Sequence, residues 1–202
     1  MFPAGVNDVY DVFEHLISSA CRLENVDVTR IAVAGDSAGG NLVAALCHTA
    51  KQNGSLNSIK LQALLCMVAN DHKRALTSPS YKAFGKGYFL TKEMMEFFYK
   101  SYTDGLDIDV DDIYKLAPLR SKSCAGLPPA YIALASHDPL FSEGLEYGKM
   151  LSQHGVPVKS EIFSGIHIFW MLGLAVGKVN EEAFLQSLAA QIRQALFDSS
   201  KL

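Results

Sequence analysis

Residues 30 to 47 read RIAVAGDSAGGNLVAALC, and the fold turns on how this stretch is divided. Arg30 to Ala34 is a short apolar run with the look of a buried strand, and Asn41 to Cys47 reads as a helix. Between them lies Gly35-Asp36-Ser37-Ala38-Gly39, the Gly-x-Ser-x-Gly pattern of a nucleophile elbow, in which a strained turn holds one hydroxyl clear of a sheet. Ser37 is the candidate nucleophile. A sharp strand-to-helix turn leaves its neighbours no room for a Cβ, so Gly35 and Gly39 are expected to let strand and helix close up. The helix then begins beneath the serine and aims its first N–H groups at any negative charge that forms above it.

Outward from this point the chain alternates. Asp8 to Leu23 carries Val9, Val12, Phe13, Leu16, Ile17, Ala20 and Cys21 at helical spacing, which predicts a helix with one buried face. The helix after the elbow continues to Lys51. A second strand is expected at Leu61 to Val68, apolar throughout and therefore buried on both faces, as in a parallel sheet. Residues 70–128 interrupt the alternation with a loop, the segment GYFLTKEMMEFFYKSY and an acidic turn. Thr91 is placed to cap a helix there, with Met94, Met95, Phe97, Phe98 and Tyr102 facing inward, as core packing or as the lining of an acyl pocket. Strands follow at Ala130 to Ala135 and Val158 to Phe163, separated by a helix from Ser142 to His154 that ends at Gly155. A last helix runs from Asn180 to Phe197 with Leu185, Leu188, Ala189, Ile192 and Leu196 on one stripe. The order predicts an α/β fold with parallel strands and right-handed crossovers, in one domain over residues 1–202 with 70–128 as a cap insertion.

Composition narrows the function. The 202 residues are 49 % hydrophobic and 19 % charged, which describes one globular domain with a real core. A formal charge of −3 leaves no basic footprint for nucleic acid or an anionic membrane. No apolar stretch reaches the length of a membrane span, and the first residues lack the pattern of a signal peptide. Four cysteines, Cys21, Cys47, Cys66 and Cys124, form no C-x-x-C pair and suit a reduced, cytoplasmic setting. Neither a metal site nor a cofactor is indicated, and the expected partner is a small uncharged molecule.

A serine hydroxyl needs a base to take its proton and a carboxylate to orient that base. Ser37, Asp138 and His167 each fall a few residues past a predicted strand end, where loops converge above a doubly wound sheet. They also occur in the order Ser, Asp, His. His15, His48 and His154 read as surface or packing residues. His72 and His137 could approach the site without being the base.

With these residues in place, the chain resembles the hormone-sensitive lipase family of α/β-hydrolases, which includes carboxylesterases and arylacetamide deacetylase-like enzymes. The matching stretches are FPAGVNDVYD at the start, RIAVAGDSAGGNL around Ser37, GYFLT in the insertion, LAPL at 116–119, LPPAYIALASHDPLFSEG around Asp138 and GIHIF around His167. The resemblance implies Ser37 as nucleophile, His167 as general base and Asp138 as the carboxylate that holds it. It gives the Ala38 N–H to the oxyanion hole. Ile168 departs from the small residue usual in the family after the histidine and crowds that loop.

The family's His-Gly-Gly-Gly loop, the source of most oxyanion donors, has no counterpart in these residues. The resemblance therefore implies an N-terminally truncated chain, impaired turnover, and self-association through an exposed sheet edge. The leading expectation is a serine carboxylesterase acting on short- to medium-chain esters through an acyl-enzyme, with a lipase as a variant. A non-catalytic ligand-binding member of the fold, as in the gibberellin receptors, and an inactive fragment remain as alternatives.

Overall fold

The computed structural model describes residues 1–18, 23–103, 112–168 and 178–197. Four strands, β1 (Ile31–Asp36), β2 (Ile59–Leu65), β3 (Ala130–His137) and β4 (Val158–Ile166), form one wholly parallel sheet in chain order. Around them lie α1 (Ala4–Ile17), α2 (Ala38–Asn53), the short α3 (His72–Ala75), α4 (Pro79–Phe84), α5 (Lys92–Thr103) and α6 (Ile113–Leu116). The chain continues through α7 (Phe141–Gln153) to α8 (Lys178–Phe197). Period-two alternation along the strands divides the core. Leu64, Ile132 and Leu134 pack with Phe13, Leu46, Tyr147 and Leu151 under α1, α2 and α7. Leu61, Ala63, Tyr131 and Ala133 face the other way, onto Phe163 and Phe184 beneath α8. The result is helices on both faces of a parallel sheet, as the sequence pattern predicts.

Several boundaries differ from expectation for local reasons. β2 stops at Leu65, not Val68, because Cys66 takes φ 42° and leaves the extended region. β4 runs on to Ile166, since a bulge between Ala135 and His137 lets the β3–β4 ladder reach one further pair. α1 ends at Ile17, where Ser18 turns extended; Val12 on it is exposed, and Ala20 and Cys21 lie outside the described residues. The inward stripe of α8 is buried Phe184 with half-buried Leu188, Ile192 and Ala195, while Leu185 and Ala189 of the expected stripe are exposed. Gly155, with φ 78°, follows the end of α7 as anticipated.

Between β2 and β3, helices α3 to α6 form a layer beside the strand ends. Ala75, Tyr81, Leu90, Met95 and Tyr99 make a buried cluster with Leu140. The inward face of α5 is thus Met95 and Tyr99 with half-buried Tyr102, spaced i, i+4, i+7, while Met94, Phe97 and Phe98 of the expected inward set are exposed. Thr91 does cap the helix, its Oγ1 accepting the Met94 N–H at 3.2 Å. The acidic run at 104–111 is outside the described residues.

β1 pairs with β2 alone among the described residues, and its side chains are half-buried to exposed where those of β2 are buried almost throughout. On the inner side of α2, His48 sits buried between Tyr147 Oη, 3.3 Å from Nε2, and Ser121 Oγ, 3.4 Å from Nδ1. Burial, aided by the Lys51 charge, lowers the His48 imidazole to about 4. The folded state therefore prefers the neutral ring, and stability present above pH 6.5 is lost as pH falls toward 4. The loss should reach roughly 3 kcal/mol. Urea unfolding of wild type and His48→Gln at pH 7.0 and 4.5 isolates it: wild type should lose that much more stability than the variant, because every other titrating group is common to both.

Candidate active site

The elbow is built by sterics. β1 ends at Asp36, Ser37 adopts φ 53° and ψ −119°, and α2 starts at the next residue. The Ser37 N–H donates to the Leu65 carbonyl at 2.9 Å and its own carbonyl accepts the Val68 N–H at 3.1 Å, so both sides of the strained residue are held by β2 and its continuation. A Cβ on Gly35 would lie 2.4 Å from the Gly39 carbonyl carbon and oxygen, so only glycine lets the helix approach the strand. Gly39 itself departs from expectation: a Cβ there meets nothing within 4 Å among the described residues. The close approach on the helix side belongs to Gly40, whose Cβ would stand 2.7 Å from Met67 Cβ.

Above the carboxyl ends of the strands the three predicted side chains meet. Ser37 Oγ is 3.1 Å from His167 Nε2, and His167 Nδ1 is 2.8 Å from Asp138 Oδ2. Both partners are buried, Asp138 at 1 % exposure and His167 at 3 %. The second oxygen of Asp138 accepts the Leu140 N–H at 2.9 Å, which fixes the carboxylate at the start of α7. Because Nδ1–H bonds the carboxylate, Nε2 is left to accept the serine proton. Ala38 is the first residue of α2, where an N–H has no helical carbonyl to bond.

Strain gathers here. Ser37, Cys66 and Ile168 have φ of 53°, 42° and 47°, and the last is β-branched, for which the left-handed region is a true outlier. Each such residue costs on the order of 1–3 kcal/mol and persists because its surroundings over-determine it. Ligand atoms of Cys66, Asp138 and His167 all lie within 4.8 Å of one another. Asp138 and His167 are already joined by a hydrogen bond, and burial together with the Asp138 charge pushes the Cys66 thiol well up, so it stays protonated.

The other histidines stand apart. His137 is exposed, its Nδ1 2.7 Å from Ser136 Oγ and its ring stacked on Tyr88 at 5.6 Å. His72 is exposed on α3, packed on Tyr99 at 5.3 Å.

A cavity of about 500 Å³ opens beside Ser37, walled by Leu42, Val68, Met95, Phe98, Tyr99 and Leu116. The aromatic and methionine stripe of α5 thus does line a pocket, through Met95, Phe98 and Tyr102 of the expected set together with Tyr99, and not through Met94 or Phe97. Asn41, which sequence reasoning did not single out, ties the wall together: its Nδ2 donates to the Val68 carbonyl at 3.1 Å and the Leu116 carbonyl at 2.8 Å. An amide opening a run of apolar helix residues was the available signal.

Comparison with known proteins agrees with this geometry. A family model described as alpha/beta hydrolase fold matches residues 1–171. An ethyl acetate hydrolase of Pseudomonas putida is 30% identical over 181 residues, which cover 89% of this chain and 55% of that protein. The carboxylic ester hydrolase LipN of Mycobacterium tuberculosis is 35% identical over 156 residues, 77% of this chain and 41% of the relative. The chain therefore spans about half the length of these relatives. Among solved structures, a mutant of esterase rPPE complexed with (S)-Ac-CPA superposes with a TM-score of 0.87 at 30% identity, over 96% of this chain and 60% of that one.

Proposed function

Since the chain belongs to the alpha/beta hydrolase fold family, we propose that it is a serine carboxylesterase whose triad is Ser37, His167 and Asp138. The observation that carries this reading is the continuous hydrogen-bonded line from Ser37 Oγ through both imidazole nitrogens to Asp138 Oδ2, at 3.1 and 2.8 Å. Ser37 Oγ attacks the ester carbonyl as His167 Nε2 takes its proton, and the Asp138 carboxylate stabilises the imidazolium. The Ala38 N–H donates to the oxyanion, a contact of the kind worth about 10²–10³ in rate. The tetrahedral intermediate collapses, the alkoxide leaves with the proton from His167, and an acyl-Ser37 ester remains. Water, deprotonated by the same imidazole, then releases the acid and restores the serine.

Apolar walls around the cavity support uncharged esters with short to medium acyl chains as substrates. Residues 70–128 serve in this reading as the cap over the site, since α5 and α6 contribute Met95, Tyr99 and Leu116 to it. No helix among the described residues is long and apolar enough to cross a membrane. Cys47, Cys66 and Cys124 are free and buried, which supports a reducing, cytoplasmic compartment. The half-exposed edge of β1 is the surface through which self-association would proceed. A non-catalytic binding role gains no support, because a ligand site needs no base aligned on the serine.

Labelling with a fluorophosphonate tests the proposal, because the reaction needs an activated serine. Wild-type protein should be modified at Ser37 and should hydrolyse a short-chain aryl ester, and Ser37→Ala should do neither. A folded wild-type protein that resists the reagent would sink the assignment.

A further inference from the structure

On α7, five residues beyond Asp138, Glu143 is buried at 2 % exposure in the stripe that also holds Leu140, Tyr147 and Leu151. A leucine would fill that stripe without the desolvation cost of a carboxyl, so packing alone does not account for it. Its Oε2 accepts two backbone N–H groups, Ala69 at 3.1 Å and Asn70 at 2.7 Å. Both amides lie just past the end of β2, where the ladder no longer supplies acceptors.

The segment so held touches the site on every side. Val68 donates its N–H to the Ser37 carbonyl at 3.1 Å, and its side chain walls the cavity. The Asn70 carbonyl accepts Tyr99 Oη at 3.2 Å, and Tyr99 is part of the same wall. The Ala69 carbonyl accepts the Leu119 N–H at 3.0 Å. Elbow, α5 and the chain before β3 all lean on three residues that Glu143 anchors to α7.

We infer that Glu143 is a positioning residue of the site, its carboxyl pinning Val68–Asn70 so that the elbow carbonyl of Ser37 and the cavity wall keep their places. The anchor is an acceptor rather than a charge. Burial pushes the Glu143 carboxyl up to about 8, opposed by the two N–H donors and reinforced by Asp138 at the end of β3 and Glu146 on its own helix. The phenols that face it, Tyr81 of α4 and Tyr99 of α5, are themselves pushed up by burial and by its charge. Burial thus favours the neutral form, and glutamine keeps the acceptor oxygen without a titrating proton.

The inference rests on the serine-nucleophile reading only for its kinetic arm. Glu143→Gln and Glu143→Leu in the full chain are compared at pH 7 for amide exchange at Ala69 and Asn70 and for the fluorophosphonate labelling rate of Ser37. Glu143→Leu should exchange both amides about tenfold or more faster and label Ser37 about tenfold or more slower, since two buried donors lose their acceptor, and Glu143→Gln should stay within about threefold of wild type in both. A leucine variant that keeps both values, or a glutamine variant as impaired as the leucine one, overturns the inference. If Glu143→Leu does not fold, Tyr99→Phe, which removes the donor to the Asn70 carbonyl, takes its place: slower labelling supports the role and an unchanged rate overturns it. A wild-type Ser37 that is never labelled sinks the nucleophile reading, and amide exchange still decides the role of Glu143.

Discussion

His167→Ala should lower the ester-hydrolysis rate by roughly 10⁴-fold or more, to the level of Ser37→Ala, while His137→Ala keeps most of it. The two histidines are a matched pair for this comparison, each near the end of its strand and joined by register, His137 opposite Ile166. Only one is aligned. His167 is buried with Nε2 3.1 Å from the serine oxygen and Nδ1 bonded to a buried carboxylate. His137 is exposed, bonded to the neighbouring Ser136 hydroxyl and stacked on an aromatic ring. An imidazole in solvent with no carboxylate behind it has neither the fixed tautomer nor the aim that proton transfer needs. Measuring both variants in the same background cancels every contribution from the oxyanion donors, because neither substitution touches Ala38. Opposite behaviour of the two would place the base at the wrong residue.

Gly35→Ala should destabilise the chain by more than about 3 kcal/mol, beyond the usual range for an added methylene in a packed core. What the new methyl meets is backbone, the Gly39 carbonyl group at 2.4 Å and the Gly40 nitrogen at 2.9 Å, and backbone cannot rotate away as a side chain can. The first turn of α2 has to lift from β1, and with it goes the φ of 53° that presents Ser37. Labelling at Ser37 should be lost along with the urea midpoint. Gly39→Ala is the control inside the same motif. Its methyl reaches open space, and alanine is the better helix former, so stability should hold or rise slightly. Equal damage from both substitutions would mean that the elbow is not packed as described.

These two glycines mark the limit of what a motif reveals. Gly-x-Ser-x-Gly predicts that small residues flank the serine, and the apolar runs on either side predict a strand and a helix. Which glycine is indispensable depends on what lies across from it. Met67, on the neighbouring strand's continuation, makes Gly40 necessary, and nothing among the described residues makes Gly39 so. The α5 stripe shows the same limit. Five apolar residues in a span of nine are compatible with more than one buried face, and contact with Tyr81, Leu90 and Leu140 selects Met95 and Tyr99. Glu143 is a carboxyl on an otherwise buried stripe, but the backbone N–H groups that donate to it lie more than seventy residues earlier in the chain.

Strand and helix order, the parallel sheet and the elbow were determined by the sequence itself, because periodicity and turn sterics act over a few residues at a time; the candidates Ser37, Asp138 and His167 came from their places past strand ends, their chain order and the family resemblance. Tertiary structure alone decided that these three side chains close to 3.1 and 2.8 Å, which face of α5 walls the cavity, and that a carboxyl on α7 anchors the end of β2. Such contacts join residues 29 to 130 positions apart, and their geometry is set by sheet register and helix packing, which no local pattern encodes.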